Sequence, residues 1–276
     1  MTTRETVLIT GAAGRIGRAL RPRLARPGRI LRLLDLAPLG PAAPGEDVEL
    51  IQASFLDQPE IEAACQGADA VIHLGGLAGE APWERIVTVN IEGTLRVLEA
   101  ARTAGVSRVV FASSIHAAGF HTRDELADGE LLPAEAAPRP DTLYGAGKAA
   151  SEALGSLYHS RFGLDVVCLR IGAFRPAPRL ASDLVNWLSP DDAGRLFEAC
   201  LQPRPPAFRV LWGISANTRR WWSAAEAEAI GYRAEDDAEQ YAGSLPDGAV
   251  FDPADPLNTH VGANFCTIPV GRGNIL

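Results

Sequence analysis

The sequence predicts an α/β protein: a doubly wound parallel sheet with a small C-terminal lobe. Through residues 1–172, short apolar and β-branched runs alternate with stretches of helical spacing, the pattern of a parallel sheet with helices on both faces. Within those runs Val7 to Ile9 and Val109 to Ala112 are apolar at successive positions, as strands covered on both sides should be. After about residue 173 the alternation gives way to Pro176, Pro178, Pro190, Pro203, Pro205 and Pro206, with tryptophans among them. We therefore expect a sheet domain over 1–172, a lobe over 173–245 and a tail over 246–276.

Taken in order, Thr6-Val-Leu-Ile-Thr10 reads as the first strand, and Arg15 to Leu24 as a helix with apolar residues at Ile16, Leu20 and Leu24. Ile30 to Asp35 and Val48 to Gln52 supply two more strands, and Pro59 starts a helix. Ala70 to Leu74 is a fourth strand, and a helix around Ile86 to Ala104 leads to a fifth, Arg108 to Ala112. A helix from Tyr144 to Phe162 and a strand from Asp165 to Arg170 complete the alternation. Phe208 to Trp212 has strand character inside the lobe and is expected to rejoin the sheet. The tail, with Asp252-Pro-Ala-Asp-Pro256 and Gly271-Arg-Gly-Asn274, has little periodicity. It is expected to wrap a neighbouring surface or a second subunit, or to be partly disordered.

The junction between the first strand and helix, Thr10-Gly-Ala-Ala-Gly-Arg-Ile-Gly17, has the chemistry of a dinucleotide site. Gly11 takes the tight turn, Gly14 lets a pyrophosphate approach the backbone, and Gly17 lets helix and strand pack closely. Free N–H groups of the helix start, at Arg15 and Ile16, then face the phosphates. Asp35, 18 residues beyond Gly17, ends the second strand near the separation at which a carboxylate meets the adenosine ribose. Its charge repels a 2′-phosphate and favours NAD over NADP, while Arg32 nearby keeps NADP open. Asp57 either touches the adenine amino group or caps the helix that follows. Ligands of such sheets bind outside the carboxyl ends of the strands, which adds Leu74, Gly75, Gly76, Ser113 and Ile171 to the expected cofactor site. Asn90 either faces the cofactor edge or braces its own helix.

Composition narrows the partners. At 276 residues, 47% hydrophobic and 22% charged, the chain has the make-up of a globular protein. A net charge of −8 with no Lys/Arg cluster argues against nucleic acid. No apolar run approaches the roughly 20 residues of a membrane span, and the N-terminus enters the first strand without space for a secretory signal. The cytoplasm is the expected compartment. Four scattered cysteines and five unclustered histidines lack ligand spacing, so neither a metal nor a disulfide is expected.

Tyr144-Gly-Ala-Gly-Lys148 places a phenol and an ammonium four residues apart, on one face of a helix turn. An unperturbed tyrosine, with a pKa of about 10, is a poor base at neutral pH. A neighbouring ammonium and a positive nicotinamide ring stabilise the phenolate. Ser114, at a strand end, can hold the same substrate oxygen. That geometry suits hydride transfer at a carbinol or carbonyl carbon.

Together, the glycine turn, Ser114 and Tyr144-x-x-x-Lys148 resemble the extended short-chain dehydrogenases/reductases over residues 5 to about 240. Similarity to the uronate dehydrogenases among them lies in His73-Leu-Gly-Gly76, Phe111-Ala-Ser-Ser114 with His116, and Arg139-Pro-Asp141. It continues in Leu143-Tyr-Gly145, Arg170-Ile-Gly172, and Trp212-Gly-Ile-Ser-Ala-Asn217 with Trp221-Trp222. This resemblance implies a Rossmann fold, NAD, and metal-free oxidation of a hexuronic acid at its anomeric carbon. It also implies a homodimer or higher homo-oligomer through the helices around 86–104 and 144–162. By the same resemblance Tyr144 is the base, Lys148 holds the nicotinamide ribose and Ser114 orients the reacting hydroxyl.

The family's substrate contacts are largely replaced. Its carboxylate-binding arginine aligns with Ser182, and polar positions read Ala78, Ile115 and Ala173, whereas Ser114 and His116 are kept. Arg175 or Arg179 is left to replace the arginine. The stretch 117–140, longer than the family's, is a solvated loop or a new specificity element, and the paired tryptophans read as packing before they read as a platform. The reading is an NAD-dependent dehydrogenase acting on a small sugar-like substrate, with a hexuronic acid or a less polar carbonyl compound both open. A nucleotide-sugar epimerase or dehydratase is disfavoured by the short lobe, and a non-catalytic NAD-binding regulator by the intact Ser114, Tyr144 and Lys148.

Overall fold

The computed structural model describes residues 4–245, 252 and 255–272. Its first half alternates as the apolar runs require: β1 (Glu5–Thr10), α1 (Arg15–Leu24), β2 (Arg29–Asp35), β3 (Val48–Gln52), α2 (Gln58–Cys65) and β4 (Ala70–His73). After α3 (Trp83–Arg85) and α4 (Gly93–Thr103) come β5 (Arg108–Ser114), α5 (Leu143–Phe162) and β6 (Asp165–Ile171). The lobe holds the short β7 (Ala173–Phe174), α6 (Asp183–Asn186) and β8 (Trp187–Leu188), followed by α7 (Pro190–Leu201), β9 (Phe208–Gly213) and α8 (Ala225–Ala229). Among the described residues seven strands form one parallel sheet in the order β3-β2-β1-β4-β5-β6-β9. The Phe208 strand thus rejoins the sheet, beside β6.

Strand order reverses between β1 and β4, which lie side by side, and a ligand crevice opens at such a switch point. Successive residues of β1 point to opposite faces. Val7 and Ile9 pack with Leu20 and Leu24 of α1 and with Leu196 and Phe197 of α7. Leu8 packs with Ile61 of α2, Val97 of α4 and Tyr158 of α5. Each fully buried aliphatic side chain contributes about 1.5–3 kcal/mol, so the two layers hold the strand ends in fixed positions.

One element differs from its sequence reading. Between α3 and α4 the helical run is π-helical over Ile86–Glu92, the wider turn that often appears at functional sites. Packing is tight here: a Cβ on Gly147 would lie 2.5 Å from Ile86 Cγ2, so α5 approaches this turn closely. The turn also sends the Asn90 side chain back to the loop after β4, where Oδ1 accepts from Leu77 N at 2.8 Å and Nδ2 donates to Leu77 O at 3.1 Å.

In the lobe, Trp212, Trp221 and Trp222 pack together with Ile115, Leu132 and Val185, so the tryptophan pair is core. Buried Arg170 clasps Glu152, with Nε to Oε1 at 3.0 Å and Nη2 to Oε2 at 2.8 Å, and its Nη1 donates to the carbonyls of Ala134 and Ala136. The stretch 117–140 is largely loop, with an exposed Arg139–Glu125 ion pair. Of the alternatives open for the tail, its described part wraps a neighbouring surface. In its described part α9 (Pro256–Thr259) precedes a 3₁₀ turn, Ala263–Thr267. This segment packs on the chain itself: Val261 N donates to His121 O at 3.0 Å, Gly262 N to Gly119 O at 2.9 Å, and Gly271 N to Glu80 Oε1 at 2.7 Å. Parts of both tail motifs, residues 253–254 and 273–274, lie outside the described residues. No helix among the described residues is long and apolar enough to cross a membrane.

Candidate active site

A cleft of about 400 Å³ runs along the carboxyl ends of the strands, from the glycine turn after β1 to the tail. At one end Gly11 adopts φ +71°, and a Cβ there would lie 2.6 Å from Gly75 N, so only glycine fits between the loops after β1 and β4. Gly11, Gly14, Arg15, Ile16 and Gly17 all line the cleft. Helix α1 begins with Gly14 as its cap, no side chain bonds its first-turn N–H groups, and no acidic residue sits in that turn. By contrast α2, α5 and α7 are capped by Asp57, Thr142 and Ser189. Unmet donors and a positive helix end are what a pyrophosphate requires, so these residues fit a dinucleotide.

Asp35 stands beside this turn, its Oδ2 accepting from Ala13 N at 2.9 Å and its Oδ1 from Ala37 N at 2.9 Å. Arg32 is committed elsewhere: it pairs with Glu49 at 2.5 Å and donates to the carbonyls of Ala64 and Gln66. It gives no support to a 2′-phosphate site. Asp57 is an exposed helix cap facing Glu60 N at 3.5 Å, the second of its two expected roles. Leu74, Gly76, Ser113 and Ile171 line the cleft, whereas Gly75 contributes close backbone packing and Asn90 braces the Leu77 loop.

The chemistry sits where β5 ends and α5 begins. Thr142 Oγ1 accepts from Gly145 N at 3.0 Å and starts the helix, which places Tyr144 and Lys148 one turn apart on its buried face. Ser114, Tyr144 and Lys148 all line the cleft. Burial pushes the Tyr144 phenol up to about 12; the Ser114 hydroxyl opposes the shift and Asp141 adds to it. Burial holds the Lys148 ammonium down to about 8, against Glu152 and Cys168. Lys148 Nζ donates to Ala112 O at 2.6 Å and lies 5.8 Å from the Tyr144 ring centroid. Removing water thus suppresses the phenolate until a positive charge lies beside it. His73, in the same strand layer, is structural: it bonds Thr10 Oγ1 at 2.7 Å, and burial pushes it down to about 3.

At the other end the walls come from four segments. Ala78, Ile115, His116, Ala173, Arg175 and Ser182 line the cleft as expected. Arg179 does not. It is exposed, and it gives only its backbone N–H to Asp183 Oδ2, at 2.7 Å. Arg175 faces inward but is bridged to the same Asp183 at 3.2 Å. Leu180 N also donates to that carboxylate, at 3.1 Å, and closes the turn. His116 Nδ1 bonds buried Asp141 Oδ2 at 2.7 Å, and its ring stacks on Phe265 with centroids 3.9 Å apart. Sequence reasoning missed Phe174, Leu180, Asn186 and the tail residues Gly262–Phe265, which also line the cleft. Glu80 was missed as well. It is buried and accepts from Leu143 N at 3.3 Å, Tyr144 N at 2.8 Å and Gly271 N at 2.7 Å, tying the tail to the start of α5. Among the described residues no three potential metal ligands come together.

Residues 7–175 match the NAD dependent epimerase/dehydratase family. The chain belongs to that family. It is 38% identical over 267 residues to a uronate dehydrogenase of Agrobacterium fabrum, covering 96% of this chain and 98% of that one. The crystal structure of uronate dehydrogenase from Agrobacterium tumefaciens superposes with a TM-score of 0.87 at 37% identity, covering 99% and 100% of the two chains. A mutant of that protein complexed with NAD gives 0.86 at 37% identity over 98% and 99%. The parallel sheet, the glycine turn and the membership in an NAD dependent family agree on NAD as the cofactor.

Proposed function

We propose that the chain is an NAD-dependent dehydrogenase that oxidises a hydroxyl-bearing carbon, or reduces the corresponding carbonyl, of a small sugar-like substrate. The observation that carries this is the convergence of Ser114, Tyr144 and Lys148 on one cleft whose far end is an uncapped helix start. NAD, when bound, accepts the hydride and brings a positive ring. Ser114 and Tyr144 hold the reacting oxygen between them. Tyr144 takes its proton, and Lys148 keeps positive charge under the phenol. Relatives are named uronate dehydrogenases, which makes a hexuronic acid oxidised at its anomeric carbon the first specific substrate to compare.

The division into a cofactor half over 1–172, a substrate lobe over 173–245 and a tail over 246–276 fits this reading, with the described tail closing the substrate end. Exposed Leu95 on α4 and Leu157 and Phe162 on α5 support a homodimer built on these two helices. Four cysteines as free thiols support a reducing compartment such as the cytoplasm. Tyr144→Phe tests the mechanism: turnover should fall by about 10²–10⁴-fold while NAD binding, followed by fluorescence, stays unchanged. Retained turnover would refute the assignment.

A further inference from the structure

The basic groups at the substrate end of the cleft are each matched by a carboxylate. Arg175 is the arginine lining that end, and its Nη1 lies 3.2 Å from Asp183 Oδ2. Asp183 is 2% exposed at its side chain and is held in place by the backbone N–H groups of Arg179 and Leu180, so its charge stays fixed beside the guanidinium. His116, the other basic group there, is matched by Asp141, whose side chain has no exposure. Lys148 lies under Tyr144, bonded to Ala112 O, and Arg15 stands at the opposite end, on the first turn of α1.

Between these pairs the wall is largely apolar. Ala78, Ile115, Ala173, Leu180 and Phe265 supply hydrocarbon surface, Ser182 and two amides, Asn186 and Asn264, supply uncharged polar groups, and the buried Oδ1 of Asn186 is unbonded to any described residue. A buried acceptor without a donor is costly, and a hydroxyl supplies the O–H that satisfies it. A carboxylate brings two more acceptors and a full charge, and a desolvated charge needs a partner of opposite sign.

We propose that the substrate of this cleft is an uncharged sugar-sized alcohol with few hydroxyls, such as an aldose or 6-deoxyaldose, rather than a sugar acid. This rests on the dehydrogenase reading and sharpens its substrate. The reacting carbon sits between Ser114 and Tyr144, a second hydroxyl meets Asn186, and the remote carbon lies against Ile115 and Leu180, where a methyl or hydroxymethyl group replaces the carboxylate.

Two matched series that differ only at the sixth carbon test it: galacturonate, galactose and 6-deoxygalactose, and glucuronate, glucose and 6-deoxyglucose. NADH formation gives kcat/KM for each with the full chain at saturating NAD, and NAD binding is measured separately by fluorescence titration. The expected result is that at least one neutral member of a series exceeds its carboxylate partner by tenfold or more. A carboxylate member that equals or exceeds both neutral partners overturns the proposal and leaves the dehydrogenase reading standing. NAD binding with no turnover of any of the six overturns the sugar-sized substrate. Absence of NAD binding overturns the dehydrogenase reading itself, and this proposal with it.

Discussion

Replacing Glu80 by glutamine is the sharpest test of how the tail and the catalytic helix are joined. Glu80 Oε1 receives the N–H groups of Gly271 and Leu143, and Oε2 receives that of Tyr144. In Glu80→Gln one oxygen becomes an NH₂ group. Whichever way the amide turns, the short bond to Tyr144 or the short bond to Gly271 is lost and a donor faces a donor. A hydrogen bond to a charged group is worth about 1.5–3 kcal/mol, and removing negative charge from the first turn of a helix adds about 0.3–1 kcal/mol. The expected loss is about 2–4 kcal/mol, a fall in Tm of roughly 5–10 °C for a chain of this size. Differential scanning calorimetry reads the stability, and steady-state kinetics read which bond was given up. Release of Gly271 loosens the wall around Phe265 and raises KM, whereas release of Tyr144 lowers kcat. A variant with unchanged Tm and unchanged kinetics would show that the carboxylate does not hold the two segments together.

Other consequences follow from the same geometry. Lys148 titrates at about 8 when folded and at 10.5 ordinarily; between those values the unfolded chain binds a proton there that the folded chain does not, so the contribution of this group to stability rises with pH through that window, while the buried thiols of Cys65, Cys200 and Cys266, pushed up to about 12, pull the other way above about 9. Lys148→Met should remove that rise from a Tm-against-pH series without NAD, and should abolish turnover. Asp141→Asn takes the carboxylate from His116 and should lower kcat/KM by about tenfold or more while leaving NAD affinity unchanged; equal losses in both would point to misfolding of the α5 start. Asp35→Ser should weaken NAD binding and raise the ratio of NADP to NAD use by about tenfold, since the repelling charge is gone. An unchanged ratio in coenzyme-exchange kinetics would remove Asp35 from the ribose site.

Much of the frame was legible because its signals are local. Apolar runs such as Val7 to Ile9 declare buried strands, Gly11 declares a left-handed turn, and the four-residue spacing of Tyr144 and Lys148 places both on one helix face. The π-helical turn at Ile86–Glu92 was not legible, since apolar spacing marks a helix without telling its turn width, and its packing against Gly147 on another helix leaves no local mark. Nor could spacing choose between Arg175 and Arg179. The choice depends on which parts of residues 175–180 Asp183 binds. Phe265 and Glu80 act through contacts with residues far away in sequence, His116 and Gly271, and a lone aromatic or carboxylate carries no mark of such a partner.

The family match ends at residue 175, yet the cleft is completed by Leu180, Ser182, Asn186 and the Gly262–Phe265 turn. None of these carries the proton or hydride chemistry assigned to Ser114, Tyr144 and Lys148. The side chains at Leu180 and Ser182 can therefore change the wall the substrate meets, whereas the Gly262–Phe265 turn, packed on Asp141 and His116, is bound to the catalytic end. Such a molecule is a ready scaffold for selection: libraries confined to residues 180 and 182 would sample new specificities with Ser114, Tyr144 and Lys148 unchanged.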